Sequence, residues 1–153
     1  MSTINISKII ASAAVLIMLV SCGAKNAQEF NNKLVGAQRS LMSEVNKAKT
    51  DSMDALAKLK HIQDITKTKL KEINDLKTPE GGEGFKDAMV KDFEGIVDTY
   101  DILIKMVEKK DDATEVEALK IKLDEKQVKI EDLDQKVIDE QKKFADKYHI
   151  KLQ

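Results

Sequence analysis

The chain has 153 residues, of which 35% are charged, and its formal net charge is −1. This near-neutral balance argues against electrostatic capture of nucleic acid, which requires clustered lysine and arginine side chains. A single cysteine excludes an intrachain disulfide framework, so packing alone must hold the fold together.

The N-terminus has the composition of a targeting signal. Lys8 and the amino terminus supply positive charge, and the twelve residues 9–20 are all apolar except Ser12. A helix of that length measures roughly 18 Å, and it falls short of the roughly 20 residues that a bilayer span requires. We therefore interpret residues 1–21 as a cleaved signal peptide rather than a membrane anchor.

The signal ends in a four-residue motif made of Leu19, Val20, Ser21 and Cys22. A leucine three positions before the cysteine, a small residue directly before it and a glycine after it resemble the lipobox of bacterial lipoproteins. The resemblance implies that a diacylglycerol is attached to Cys22, that the chain is cleaved before it, and that the new amino terminus is acylated. Because two or more acyl chains hold a protein stably on a membrane, we expect a lipid-anchored protein of the cell envelope.

The residue after the cysteine indicates which membrane carries the anchor. In the best-known sorting system a glycine at this position, here Gly23, directs a lipoprotein to the outer membrane rather than the inner one. Residues 23–26 contain no acidic side chain, and this argues against display on the outside of the cell. Whether the domain faces the periplasm or the exterior stays open.

The mature chain is predicted to be a short tether followed by one helical domain. Removal of residues 1–21 from the 153-residue chain leaves 132 residues, a common domain size. Residues 22–27 are small and polar, which suits a tether between lipid and domain. Residues 28–153 are rich in Ala, Leu, Lys, Glu, Asp and Ile and have long stretches without helix breakers, a composition typical of helices.

Apolar side chains recur at steps of three and four residues, the spacing of one face of a helix, in four segments of the domain. These segments lie within residues 30–48, 55–76, 85–107 and 116–148. With a break at residues 49–52, where Asp51 or Ser52 can cap a new helix, they predict four helices of about 22, 24, 25 and 35 residues. The predicted fold is therefore an all-α, up-down-up-down four-helix bundle.

One alternative concerns the stretch between Ala48 and Met53, which contains neither glycine nor proline. Without a break, a single 50-residue helix would run over residues 27–76 for about 75 Å. The domain would then be an extended helical hairpin with three long helices. The later boundaries are clearer, because residues 77–84 form a proline and glycine turn and Asp112 with Glu115 predicts a capping-box helix start.

Three segments of the domain, residues 30–38, 76–84 and 141–152, resemble an uncharacterised family of helical bacterial surface lipoproteins. In this sequence they read FNNKLVGAQ, LKTPEGGEG and QKKFADKYHIKL. The resemblance implies a lipid-anchored four-helical domain in the envelope of a diderm bacterium. It brings no catalytic residue to this chain.

The remaining polar residues form no recognisable catalytic, cofactor or metal site, and we expect none of the three. His61 and Asp64 share a helical face but lack further ligands. Asn31, Asn32 and Gln38 either line a polar feature near the tether or simply solvate the first helix. The glycines at 36 and 95 are expected to allow close helix approach.

Two functions remain in competition once catalysis and nucleic-acid binding are set aside. The favoured one is a noncatalytic lipoprotein that contacts an envelope protein, the cell wall or a surface polymer. The rival is a small-ligand or metal carrier that uses the bundle interior. A large exposed apolar patch would support partner binding, whereas an enclosed cavity of ligand size would support carriage.

Overall fold

The computed structural model describes residues 6–152, with side chains from residue 23 onward. It contains four helices, α1 (Ile6–Thr50), α2 (Ala55–Asp75), α3 (Glu83–Glu108) and α4 (Ala113–Tyr148). No strand occurs within the described residues, so the all-α prediction is confirmed. None of the helices in this part of the chain is both long and apolar enough to cross a bilayer.

The helices pack in the order of an up-down-up-down bundle. Each helix packs against the next along the chain, and α4 returns to α1. An ion pair between Lys60 near the start of α2 and Glu108 at the end of α3 shows that these two helices are antiparallel. Phe30 of α1 contacts Phe85 near the start of α3 and Phe144 near the end of α4. The bundle prediction is therefore confirmed.

The chain breaks between α1 and α2, so the extended hairpin is wrong for this protein. The break covers residues 51–54 and not the predicted 49–52, and the capping residue also differs. The Asp54 side chain accepts a hydrogen bond from the Ala57 backbone N–H at 2.9 Å and forms the N-cap of α2. Asp51 instead accepts from the Met53 N–H at 2.8 Å, closing a local turn. Helix α2 therefore starts later than a cap at Asp51 or Ser52 would require.

The start of α4 follows the sequence prediction in part. The Asp112 carboxylate accepts a hydrogen bond from the Glu115 N–H at 3.0 Å, as an N-cap should. The Glu115 side chain does not complete the capping box, because it forms an ion pair with Lys109 at 3.3 Å. Asp112 alone therefore supplies the cap.

An aromatic cluster anchors the end of the bundle that contains the α2–α3 loop. Phe30, Phe85 and Phe144 lie with ring centroids 5.4–6.2 Å apart, and the tilted Tyr148 ring has its centroid 5.1 Å from that of Phe144. The Tyr148 hydroxyl donates to the backbone carbonyl of Glu80 at 2.7 Å. Three helices and the loop are thereby fixed to one another.

Helix α1 continues through the residues expected to be a tether. Residues 23–26 are helical, and Ala27 is completely buried in the hydrophobic core. The helical domain therefore uses Ala27 for packing, one residue before the expected boundary at 28. The division into signal, tether and domain stays a prediction.

The two glycines expected at close helix contacts differ. A Cβ added at Gly95 would lie 3.4 Å from Ile130 and from Leu133, so this glycine does sit where α3 and α4 approach each other. A Cβ at Gly36 would meet nothing within 4 Å. The expectation is wrong for Gly36, which faces open space.

Candidate functional site

A groove runs along the seam between α1 and α4, the most loosely packed of the four neighbouring helix pairs. Its volume is about 500 Å³, and α3 forms its floor. We call it the α1/α4 groove. It is lined by Gln38, Arg39, Leu41, Met42 and Val45 of α1, by Asp92, Phe93, Ile96 and Tyr100 of α3, and by Ile130 and Asp134 of α4.

The walls of the α1/α4 groove are mainly apolar, and one side is open to solvent. Ile96, Tyr100 and Ile130 are half-buried, whereas Met42 on the rim is 61% exposed. Small-molecule sites in proteins are usually apolar concavities of roughly 300–1,000 Å³ that contain a few well-placed polar groups. The groove has this size and character.

Asp92 is the unusual residue of the groove floor. Its side chain is 1% exposed, although it carries an ionisable carboxyl group. Its Oδ1 atom has no hydrogen-bond partner among the described residues. Buried polar atoms are nearly always paired, because burial without a partner costs free energy. Such an orphaned carboxyl oxygen in a groove marks a place where a ligand can supply the missing donor.

Asp92 and Asp134 form a coupled carboxyl pair across the α3–α4 interface. Burial, together with the nearby charge of Asp134, raises the pKa of Asp92 to about 7, and the Gln38 side chain opposes this rise. Burial also raises the pKa of the more exposed Asp134, and the interaction with Asp92 opposes this rise. Asp92 therefore takes up or releases a proton near neutrality.

The carboxyl pair in the groove can hold a proton or bind a cation. A carboxyl with a raised pKa in a cleft is typical of functional sites, and here it can hold a proton or exchange that proton for a cation. The lining residues of the groove include no serine, cysteine, histidine or lysine that would serve as a nucleophile. The carboxyl pair is suited to accept a hydrogen bond or a cation from a bound molecule.

Asp92 and Asp134 were not predicted as site residues, although their spacing in the sequence contains the signal. Asp92 lies three residues after Met89 and four before Ile96, both on the apolar stripe of α3. Asp134 is placed in the same way, four residues after Ile130. An acidic residue on an apolar face predicts a buried or partly buried carboxyl. Which two carboxyls meet depends on helix packing, and the sequence does not reveal that.

The polar feature suggested for Asn31 and Asn32 exists as a second, smaller concavity. It has a volume of about 310 Å³ and also includes Gln141 of α4. The buried Asn31 accepts a hydrogen bond from the Gln141 side-chain amide at 3.1 Å. This bond satisfies the Asn31 Oδ1 atom and ties α1 to α4. Gln38 lines the α1/α4 groove instead.

The histidines lie outside both concavities. His61 and Asp64 are exposed on α2, and the His149 backbone adopts the left-handed conformation, φ 53°, that ends α4. Within the described residues no three His, Cys, Asp or Glu side chains are grouped as a metal site would require.

The residues predicted for lipid attachment, Leu19, Val20, Ser21 and Cys22, have side chains outside those that the structure describes. Comparison of the chain with protein-family models, with curated proteins and with solved structures gives no match in any of the three. The case for a function therefore depends on the lipobox resemblance and on the α1/α4 groove.

Proposed function

We propose that this protein is a noncatalytic, lipid-anchored binding protein of the bacterial cell envelope and that the α1/α4 groove is its binding site. The observation that carries the proposal is the buried Asp92 carboxyl, whose Oδ1 lacks a partner among the described residues at the floor of an open apolar groove. The lipobox resemblance at residues 19–22 supports the anchor.

The position of the groove suits a protein held on a membrane by Cys22. Gln38 follows Cys22 by 16 residues within α1, which corresponds to roughly 24 Å along a helix. Val45 lies roughly 10 Å further along the same helix. A groove at this distance stands clear of lipid head groups and is accessible to other envelope molecules.

The proposed partner is another envelope protein or a surface polymer. The open side of the groove supports this choice, because the exposed Met42 and Arg39 on its rim are available to a large molecule. An enclosed cavity would have excluded such a partner. An outer-membrane location remains our preference, on the basis of Gly23.

Small-ligand carriage is a second candidate, and one specific observation favours it. The unpartnered Asp92 lies at the floor of the groove and not at its rim, so a small molecule seated in the groove is closer to it than a folded protein surface at the rim. In this version the protein holds an envelope solute in the α1/α4 groove.

Site-specific photocrosslinking in intact cells tests the proposal. A photoreactive amino acid replaces Met42 on the groove rim, and the matched control carries it at Ile121, which is 58% exposed on α4 outside the groove. We expect a discrete adduct from position 42 only, and we expect its loss when Cys22→Ser prevents anchoring. Equal adducts from both positions would contradict a groove-specific partner.

The same cells test carriage of a small ligand. Protein extracted gently from membranes is analysed by native mass spectrometry beside an Asp92→Asn variant. A noncovalent mass present on the native chain and absent from the variant would support carriage. Identical spectra, together with no adduct at position 42, would refute the groove as the binding site.

A further inference from the structure

We propose that the α1/α4 groove binds an amphipathic amine, a small apolar molecule with one protonated ammonium group, which seats that group against the carboxyls of Asp92 and Asp134. This inference rests on the second candidate function, small-ligand carriage, and names the chemical class of the ligand.

The polar end of the ligand follows from the hydrogen-bond donor that is missing at the groove floor. Asp92 Oδ1 is a buried acceptor without a donor among the described residues. An ammonium group carries three N–H donors and no acceptor, and a hydrogen bond from a cation to a carboxylate is about twice as strong as a neutral one. An anionic ligand would be repelled by the two carboxyls, and a hydrocarbon would leave Oδ1 unpaired.

The net charge of the groove indicates that the ligand carries one cationic group. When both are ionised, Asp92 and Asp134 contribute two negative charges, and Arg39 on the rim contributes one positive charge. The formal charge of the groove is then −1. One ammonium group neutralises it, and the exposed Arg39 disfavours a second cation at the open side.

The apolar end of the ligand follows from the walls. Ile96, Tyr100 and Ile130 present half-buried apolar surface beside the carboxyl pair. A volume of about 500 Å³ accommodates an alkyl or aromatic body of modest size. A ligand that fills it gains burial free energy from the body while its head group satisfies Asp92.

A small molecule fits the groove better than a helix of a partner protein does. Docked helices present apolar anchors over two or more turns to a continuous apolar surface. The α3 floor extends from Asp92 to Tyr100 for roughly 12 Å, about two turns, and the apolar surface of the groove is interrupted by the Asp92 and Asp134 carboxyls. Other strongly exposed apolar residues, such as Ile121 and Val128, lie on α4 outside the groove. The apolar surface of the concavity is thus interrupted and isolated.

The proposed ligand competes with a proton for the Asp92 carboxylate, so its affinity should depend on pH. The titratable and charged groups around Asp92 are Arg39 from α1, Tyr100 from α3, and Asp134 with its neighbour Glu131 from α4, and no lining residue comes from α2. Burial raises the pKa of Tyr100 above its usual 10, so this side chain stays neutral. An ammonium group must replace the Asp92 proton, so amine affinity rises with pH.

Calorimetry on the full lipidated protein in phosphatidylcholine nanodiscs tests the inference, with empty nanodiscs subtracted. The probes are 4-phenylbutylamine, 4-phenylbutanol and 4-phenylbutanoate, which share one apolar body. We expect the amine to bind at least about tenfold more tightly than the other two. With the Asp92 pKa at about 7, its affinity should rise about tenfold from about pH 6 to about pH 8.

Three variants make the result specific to the carboxyl pair. Asp92→Asn should reduce amine affinity by about tenfold or more and abolish its pH dependence. Asp134→Asn, at the open side of the groove, should weaken amine binding without altering the packing of the hydrophobic core. Asp87→Asn, an exposed carboxyl on α3 outside the groove, is the matched control and should bind the amine normally.

The experiment distinguishes failure of the amine inference from failure of the proposed function. Equal binding of all three probes, unaffected by Asp92→Asn, would overturn the amine inference and leave the groove as an apolar binding site. Binding of an amphipathic lysine-containing peptide without binding of the amine would overturn it in favour of a protein partner. No binding of any probe would also overturn it, and crosslinking at position 42 would then decide the proposed function alone.

Discussion

Replacing Asp92 with asparagine should stabilise the protein, and the gain should depend on pH. Asparagine keeps the size of the side chain and removes the ionisable group. The pKa of Asp92 is raised from the usual 3.8 to about 7, so the folded state holds a proton that the unfolded chain releases. Stability from this group is fully present below about pH 4 and is lost as the pH rises to about 7.

The size of the effect follows from the two pKa values. Each pKa unit corresponds to 1.36 kcal/mol, and the difference between 3.8 and about 7 therefore corresponds to about 4 kcal/mol. Relative to the native chain, Asp92→Asn should gain about 1.4 kcal/mol of unfolding free energy per pH unit within this window. Above about pH 7 the gain should be constant.

Urea denaturation followed by circular dichroism at about pH 4 and about pH 8 measures this gain. Asp87→Asn, which changes an exposed carboxyl of the same helix, controls for the general effect of losing a negative charge. If the advantage of Asp92→Asn over the native chain is the same at both pH values, the carboxyl is not held protonated by burial and our reading of the groove floor is wrong.

Five further substitutions test the packing and the helix boundaries through the unfolding free energy. Phe144→Ala should lose about 3–5 kcal/mol, because it empties the centre of the aromatic cluster; a loss below about 1 kcal/mol would contradict that role. Asp54→Ala should lose about 1 kcal/mol as an N-cap, whereas Ser52→Ala should be neutral, and the reverse order would move the start of α2. Gly36→Ala should gain about 1 kcal/mol in open helical space, but Gly81→Ala, at φ +76°, should destabilise the protein.

The fold was largely predictable from the sequence because its determinants are local. The three- and four-residue apolar spacing identified the helical segments, and the turn at residues 77–84 separated α2 from α3. The first break was also predicted, two residues before its actual position. Its capping residue was not, because Asp51, Ser52 and Asp54 are all suitable N-caps. The backbone conformation that selects Asp54 is a property of the folded loop.

The candidate site was much less predictable because it depends on contacts between helices. Helical spacing places Asp92 and Asp134 on apolar stripes, but nothing local shows that the two carboxyls meet or that Asp92 Oδ1 lacks a donor in the described part of the chain. The openness of the α1–α4 seam is likewise a consequence of packing. Gly36 shows the reverse error, since a helical glycine suggested a close contact where there is open space.

The most direct test of the proposed function is metabolic labelling of the native chain and of Cys22→Ser with an alkyne fatty acid, followed by membrane fractionation. We expect a labelled native protein in the outer-membrane fraction and an unlabelled variant released from it. An unlabelled native protein, or a variant that fractionates with the membrane as the native chain does, would contradict anchoring through Cys22.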